Sequence, residues 1–219
     1  MSQIISIEGN IGSGKSTILS LLKESFKNDN KTNIIFLQEP VEEWDKIRDE
    51  NNNTILEKFY DNQKKYSFAF QMMAYISRLS LLKNTIEKNP NAIIITERCL
   101  NTDRYVFAKM LYDDGKLEDV EYKIYLNWFN HFNDFQRIQK VIYLNTDPDI
   151  CFCRMLKRNR TGELNITLDY LNNCHKYHTD MIYDLEENKL LIIDSNIDTD
   201  NNKNINDIWI NKIKSFIYK

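Results

Sequence analysis

The run GNIGSGKST at residues 9–17 constrains this sequence more than any other feature. It follows an apolar segment at residues 4–7 and leads into the helix-like segment ILSLLKESF. The run therefore matches the phosphate-loop pattern G-x-x-x-x-G-K-[ST] in the strand, loop and helix context that the pattern requires. Backbone N–H groups in such a loop point at phosphate oxygens from a helix N-terminus. The sequence predicts a nucleoside triphosphate site here, in preference to an ordinary Gly/Ser turn.

The residue types in this loop suit phosphate and metal binding. Its glycines permit positive φ angles and close backbone approach to a ligand. Lys15 can neutralise the β and γ phosphates, and the Ser16 hydroxyl can bind a Mg²⁺ ion that bridges them. Thr17 comes one residue too late for the metal and suits the following helix. We predict that the triphosphate is bound by Gly9, Asn10, Ile11, Gly12, Ser13, Gly14, Lys15, Ser16 and Thr17.

The length and composition favour one intracellular domain that spans residues 1–219. The formal net charge of −3 gives no general reason to bind nucleic acid or an anionic membrane, and no apolar run reaches membrane-spanning length. The four cysteines form no C-x-x-C pair, so we expect reduced thiols rather than a disulfide framework or a zinc site. The first strand begins too early to leave room for a signal peptide, and we expect a cytoplasmic protein.

Short apolar runs alternate with longer helical stretches along the chain. The apolar runs lie at residues 4–7, 33–37, 92–96, 141–144 and 190–193. Helical periodicity covers residues 62–88, 101–112, 117–135, 147–157, 167–186 and 206–216. This alternation predicts βαβ units, and hence a three-layer α/β fold with a parallel sheet of about five strands between helices. Ligands of such sheets bind at the carboxyl ends of the strands, where Glu39, Glu97 and Arg98 are expected.

One face of the helix predicted at residues 62–88 carries a set of polar and small side chains. Because each helical residue advances by about 100°, Gln71, Ala74 and Arg78 lie within about 60° of arc, with Phe70 beside them. An amphipathic helix often carries a Gln and an Arg, so this face taken alone favours ordinary packing over a binding site.

Five short motifs occur in a fixed order: GNIGSGKST, EPVEEW at residues 39–44, YSFAFQ at 66–71, ERCLNTDRY at 97–105 and RNRTGE at 158–163. In this order and spacing they resemble the deoxyribonucleoside kinase family, and especially its deoxycytidine, deoxyadenosine and deoxyguanosine kinase branch. The resemblance implies a P-loop fold, ATP-dependent phosphorylation of a deoxynucleoside 5′-hydroxyl, a Mg²⁺ cofactor and a homodimer formed through helices such as 62–88. It also implies a mobile LID segment at about residues 158–166.

The resemblance assigns roles to the residues that follow the strands. Glu39 corresponds to the base that takes the proton of the 5′-hydroxyl, a task that suits a carboxylate when the O–P bond forms. Arg98 corresponds to the arginine that contacts the reacting phosphate, and Glu97 joins Ser16 in holding Mg²⁺. The resemblance also implies that three arginines of the helix end and LID close over the triphosphate, namely Arg154, Arg158 and Arg160.

The resemblance also implies a nucleoside site made of Trp44, Tyr60, Phe70, Gln71, Ala74, Arg78, Asp103, Phe107 and Glu163. In it Tyr60 and Glu163 bind the 3′-hydroxyl, while Gln71 meets the base edge. An Arg78–Asp103 ion pair beside Ala74 suits an exocyclic amine or a purine nitrogen better than a thymine methyl group. We therefore expect deoxycytidine, deoxyadenosine or deoxyguanosine to be preferred over thymidine. The adenine of ATP is expected near residues 194–199.

Two other functions fit parts of the sequence. Deoxynucleoside monophosphate kinases of the thymidylate kinase type share the fold, the LID and a DRY tripeptide like that at residues 103–105. Their acceptor is already an anion, so a carboxylate at Glu39 would repel it. A non-catalytic nucleotide sensor would need neither Glu39 nor the three arginines. His175 and His178 lie three apart on a predicted helix without a third ligand, which favours packed or solvated rings over a metal site.

Overall fold

The structure is a computed structural model that describes residues 2–27, 33–132, 138–197 and 203–219. Its centre is a five-stranded sheet made of β1 Gln3–Gly9, β2 Ile34–Leu37, β3 Ile93–Glu97, β4 Lys140–Asn145 and β5 Leu190–Asp194. The strand order is β2-β3-β1-β4-β5, and every pairing is parallel. The predicted α/β class and all five predicted strands are confirmed. Because β1 is central, the loop that follows it lies at the middle of the carboxyl edge.

The helices cover both faces of this sheet. They are α1 Lys15–Ser25, α2 Val41–Trp44, α3 Ile55–Asp61, α4 Gln63–Lys88, α5 Leu100–Thr102, α6 Lys109–Asp113, α7 Asp119–His131, α8 Pro148–Arg158, α9 Leu168–Tyr183 and α10 Lys203–Tyr218. A π-helical turn, Asp103–Ala108, joins α5 to α6, and 3-10 turns occupy Glu163–Asn165 and Glu187–Lys189.

Strand alternation divides the core into two main layers. Ile94 points to a cluster that contains Tyr75 of α4 and Tyr125 of α7. Its neighbour Ile95 points to the other face, where α1 and α10 pack, with Ile213 fully buried. Successive side chains of a strand alternate between faces, so one Ile-rich strand supplies both layers.

Local sequence sets where several of these helices begin. Thr54 and Glu57 form a reciprocal capping box at the start of α3. Asn62 caps α4 by accepting from the backbone of Lys65, and Thr167 caps α9 in the same way. The long predicted helix at residues 62–88 is therefore confirmed, with its first residue acting as the cap.

The structure differs from the predicted helices in several places. The short helices α2 and α3 were not predicted, and the predicted helix at 101–112 contains the π-helical turn. Helix α7 ends at His131, and residues 133–135 of its predicted range lie outside the described residues. Among the described helices, none is long and apolar enough for a bilayer crossing. The four cysteines are free.

Candidate active site

A cavity of about 1120 Å³ opens at the carboxyl edge of the sheet. It is lined by the loop after β1, by residues that follow β2 and β3, and by α4, the π-helical turn, α8 and the segment between α8 and α9. All of the predicted site residues except Gly9 and Asn10 line it. Its volume exceeds that of a typical single-ligand pocket, which is roughly 300–1,000 Å³. Two substrates can therefore be accommodated side by side.

The glycines of the loop are required by its geometry. Gly12 has a φ of 81°, and a Cβ atom there would lie 2.3 Å from the carbonyl oxygen of Cys151 in α8. Gly9 has a φ of 143°, and its Cβ would lie 2.8 Å from the Leu144 carbonyl. Asn10 is buried and donates to the Leu171 carbonyl at 2.9 Å. Gly9 and Asn10 therefore shape the loop from behind rather than line the cavity.

Lys15 stands at the first position of α1, where phosphate would lie. Its Nζ donates to the Asn10 carbonyl at 2.7 Å, and the residue is buried. Burial, followed by the positive charge of Arg98, lowers the pKa of Lys15 to about 7. An incoming polyanion would restore the charge of this amine.

Oxygen donors for a divalent cation lie beside Lys15. The Ser16 hydroxyl donates to Oε1 of Glu97 at 2.8 Å, and Glu97 is buried at the end of β3. A hydroxyl and a carboxylate fit Mg²⁺, which is usually held by one or two protein oxygens together with phosphates and water. The described residues contain no cluster of three or more His, Cys, Asp or Glu that could hold a metal without such help.

Glu39 lies between two arginines. Its Oε2 is 3.1 Å from Nη1 of Arg98, and its Oε1 accepts from Nη2 of Arg78 at 2.8 Å. Burial alone would raise the pKa of this carboxyl, but the charges of Arg98, Arg78 and Lys15 lower it to about 2. Glu39 is therefore ionised at neutral pH.

Arg78 connects this carboxylate to a second one. Its Nε donates to Asp103 at 2.9 Å and its Nη1 donates to the Glu97 carbonyl at 2.9 Å. Burial raises the pKa of Asp103 to about 6, despite the attraction of Arg78. Asp103, Arg78, Glu39 and Arg98 thus form one chain of buried ion pairs, which we call the ion-pair chain.

Arg98 adopts a backbone conformation that is unusual for its residue type. Its φ is 63°, in the left-handed region, and it is held there because its N–H donates to Ile7 and its carbonyl accepts from Thr96. The guanidinium lies over the ring of Phe107, 5.2 Å from its centroid. Its Nε and Nη2 are buried and find no partner among the described residues. Strained residues of this kind cluster at functional sites, and these free donors suit an anion.

Aromatic rings and a free amide oxygen line the far side of the cavity. Phe70 stacks on Phe59 at 4.6 Å between centroids and meets Trp44 edge to face at 5.6 Å. Gln71 and Ala74 follow on the same face of α4, as predicted. The Oε1 atom of Gln71 is buried without a partner in the described part of the chain. A planar ligand with a hydrogen-bond donor fits this wall.

The three predicted LID arginines do not act as one group. Arg158 and Arg160 both bind the carboxylate of Glu163, at 2.6 Å and 3.3 Å. Arg154 instead donates to the carbonyls of Ser195 and Ile197, at 2.9 Å and 3.0 Å. Arg154 therefore lies one helical turn before the LID range of about residues 158–166 and is tied to the loop after β5.

Sequence reasoning missed several lining residues. Tyr170 of α9, Lys157 and Asp149 of α8, and Trp209 of α10 also line the cavity. Nothing in their local sequence separates them from other amphipathic helix residues. His178 is fully buried, donates from Nδ1 to the Cys174 carbonyl, and packs edge to face on Phe107. Burial lowers its pKa to about 3, so the ring is neutral.

Comparison with known proteins identifies the family to which this chain belongs. The deoxynucleoside kinase family model matches residues 5–218. The "Probable deoxycytidine kinase" of Fowlpox virus (strain NVSL) is 37% identical over 201 residues, which cover 90% of this chain and 79% of the relative. Deoxycytidine kinase 2 of Gallus gallus is 31% identical, with 97% of this chain and 89% of the relative covered. The mitochondrial deoxyguanosine kinase of Xenopus laevis is 30% identical, with 97% of this chain and 89% of the relative covered. This chain belongs to the deoxynucleoside kinase family and is a deoxynucleoside kinase.

Proposed function

We propose that this protein transfers the γ-phosphate of ATP to the 5′-hydroxyl of a deoxynucleoside, with deoxycytidine, deoxyadenosine or deoxyguanosine preferred over thymidine. The observation that carries the proposal is an ionised, partly buried Glu39 in the same cavity as the phosphate loop. A neutral hydroxyl gains from a nearby carboxylate that accepts its proton, whereas a monophosphate acceptor would be repelled.

The ion-pair chain explains how Glu39 becomes active only when phosphate is present. While Arg98 binds Glu39, the carboxylate has a low pKa and is a weak base. When the free donors of Arg98 engage phosphoryl oxygens, that arginine shares its charge with the phosphate and its hold on Glu39 weakens. The basicity of Glu39 then rises as the hydroxyl attacks. Arg78 keeps the carboxylate in place during this exchange.

Lys15, Ser16 and Glu97 serve the phosphate donor in this proposal. Lys15 leaves the Asn10 carbonyl for the phosphates, and Ser16 with Glu97 would hold Mg²⁺. The ion, when bound, neutralises charge that develops on the phosphoryl oxygens. Arg158 and Arg160 approach the same oxygens from the LID at about residues 158–166. Arg154 fixes the loop at Ser195 and Ile197, beside which we place the adenine; residues 198–199 of the predicted adenine segment lie outside the described residues.

The nucleoside lies between Trp44, Phe70 and Phe107. The free Oε1 of Gln71 accepts from an exocyclic amine, as on cytosine or adenine. The Arg78–Asp103 pair presents charge to the far edge of the base, where a thymine methyl would desolvate it without compensation. The relatives described above, which are named deoxycytidine and deoxyguanosine kinases, support this branch.

The sugar is held by Tyr60 and Glu163. Burial and then the nearby charge of Glu163 raise the pKa of Tyr60 far above its usual value, so its phenol remains a hydrogen-bond donor. A substrate that lacks the 3′-hydroxyl would leave the Tyr60 phenol and the remaining acceptor sites of Glu163 without that partner, which penalises its binding.

We also propose a homodimer. Val120, Ile124 and Trp128 are exposed apolar residues at four-residue spacing on α7, which packs on α4. Such a stripe on a helix beside α4 suits a second copy of the chain. Light scattering would show a dimer, and a Trp128→Glu variant would shift it to monomer.

A panel of acceptors tests the proposed function. With ATP and Mg²⁺, the four deoxynucleosides and their four 5′-monophosphates are compared by kcat/KM. We expect deoxycytidine, deoxyadenosine or deoxyguanosine to be the best acceptor and the monophosphates to be inert. Thymidine as the best acceptor would refute the base assignment, and a monophosphate as the best acceptor would refute the proposed reaction. Ser16→Ala and Glu97→Gln should each raise the Mg²⁺ concentration needed for half activity.

A further inference from the structure

The carboxylate of Glu163 is shared by two arginines that were expected to serve ATP. Nη2 of Arg158 lies 2.6 Å from Oε2, and Nη1 of Arg160 lies 3.3 Å from Oε1. The Glu163 side chain is only 7% exposed, whereas each arginine side chain is 37% exposed. A buried carboxylate needs partners to remain charged, and these two cations are its partners.

The backbone between α8 and α9 is built to make this contact. Arg158 is the last residue of α8, and Asn159 then takes a left-handed φ of 52°, which turns the chain back on itself. Gly162 has a φ of 87°, and a Cβ there would lie 3.3 Å from the backbone nitrogen of Glu57 in α3. Ile166, which follows the 3-10 turn of Glu163, is buried against Ile11 and Leu171. Packing at both ends therefore fixes Glu163 where Arg158 can reach it.

We propose that Arg158 is a positioning residue for the nucleoside sugar, acting through Glu163 before ATP binds. The short Arg158 contact occupies one carboxylate oxygen and sets the rotamer of Glu163. A carboxylate has about four lone-pair sites, so acceptors remain for the sugar 3′-hydroxyl. Arg158 thereby determines how strongly the enzyme distinguishes a deoxynucleoside from its 2′,3′-dideoxy analogue. This inference rests on the proposed function, in which Glu163 binds that hydroxyl.

A role confined to phosphate binding makes a different prediction. If Arg158 served only ATP, its removal would change nucleotide affinity and turnover but would leave nucleoside binding without ATP unaltered. The contact of Arg158 with Glu163 predicts that nucleoside binding changes although no nucleotide is present. Arg154 offers a matched control, because it belongs to the same helix and lines the same cavity but binds Ser195 and Ile197.

Isothermal titration without nucleotide tests the inference. The titrants are the best acceptor among deoxycytidine, deoxyadenosine and deoxyguanosine and its 2′,3′-dideoxy analogue. The readout is the dissociation constant of the analogue divided by that of the deoxynucleoside, which we call the sugar ratio. We expect Arg158→Gln to reduce the sugar ratio by about three- to tenfold, since a hydrogen bond to a charged group is involved but its arginine is partly exposed. Arg158→Lys should restore part of it, while Arg154→Gln should keep the wild-type ratio.

Each remaining outcome has a defined meaning. Glu163→Gln should reduce the sugar ratio at least as much as Arg158→Gln. The double variant should match Glu163→Gln alone, because both substitutions disrupt the same Arg158–Glu163 contact. A wild-type ratio in Arg158→Gln with a reduced ratio in Glu163→Gln would overturn the inference and leave the proposed function standing. Failure of the wild-type protein to bind any deoxynucleoside, or a wild-type sugar ratio of about one, would overturn the proposed sugar site itself. Thermal unfolding confirms that each variant is folded.

Discussion

Replacing Arg78 with methionine perturbs the ion-pair chain at its middle member. The Arg78 side chain is 5% exposed and touches Asp103, Glu39 and the Glu97 carbonyl. Glu39 keeps Arg98 as a partner in the variant, but Asp103, whose side chain is 3% exposed, loses its cation. Methionine fills a similar volume, so the loss is mainly electrostatic.

The expected cost follows from the burial of Asp103. Removing one partner of a buried ion pair destabilises a protein by about 3–5 kcal/mol. We therefore expect the free energy of unfolding to fall by about 4 kcal/mol at about pH 7.5. A small domain has only about 5–15 kcal/mol of stability, so the variant should fold but unfold at much lower urea concentration.

The cost should shrink in acid. The folded pKa of Asp103 is already raised to about 6 from 3.8, so protonation stabilises the folded state below 3.8, and this stabilisation is lost as pH rises through about 6. Without Arg78 the folded pKa of Asp103 rises further. As the pH falls, the variant therefore gains about 1.4 kcal/mol of stability per pH unit over a wider pH range than the wild type does. At about pH 5 the difference should be about 2 kcal/mol.

Urea unfolding at the two pH values measures the loss of unfolding free energy at each. Arg48→Met is the control, since Arg48 is exposed and bonds only the Asn52 carbonyl in the described contacts; it should change stability by less than about 0.5 kcal/mol. Equal losses at both pH values for Arg78→Met, or a loss no larger than that of the control, would refute the reasoning.

Three further predictions concern catalysis and binding. The nucleoside kcat/KM should fall as pH decreases through about 6, because protonation of Asp103 weakens its pair with Arg78; a profile still flat below pH 6 would count against this. ATP affinity should fall about tenfold per pH unit above about 7, because Lys15 must take up a proton to bind phosphate, and titration calorimetry that finds no proton uptake would contradict it. Gly12→Ala should abolish ATP binding, because its Cβ would lie 2.3 Å from the Cys151 carbonyl oxygen, while the control Gly115→Ala, with open space around it, should bind ATP normally. Nucleotide binding by both variants would disprove the close-packing argument.

Much of the architecture could be predicted from local sequence. The phosphate loop combines spelling with context, and the five Ile-rich runs alternate with helices, so the parallel sheet follows. Helical arithmetic also placed Gln71, Ala74 and Arg78 on one face, and all three line the cavity. These features depend on residues close together in the chain.

The remaining features depend on contacts between distant segments. The π-helical turn that carries Asp103 and Phe107 belongs to a class that makes up well under 1% of residues, and no local signal marks it. The link from Arg78 to Glu39 joins residues 39 apart, and the carbonyls that hold Arg154 lie beyond β5. Residue types predicted which groups would meet, but tertiary packing decided which arginine binds which carboxylate.

The most direct test of the central claim is the single-turnover rate of Glu39→Gln with the best deoxynucleoside, ATP and Mg²⁺. The amide keeps the shape of the side chain and one of its two acceptor oxygens, but it cannot take a proton from the 5′-hydroxyl. We predict that the rate of phosphoryl transfer falls by about 10²–10⁴-fold while the nucleoside dissociation constant changes by less than about threefold. A transfer rate within about threefold of wild type would contradict the role of Glu39.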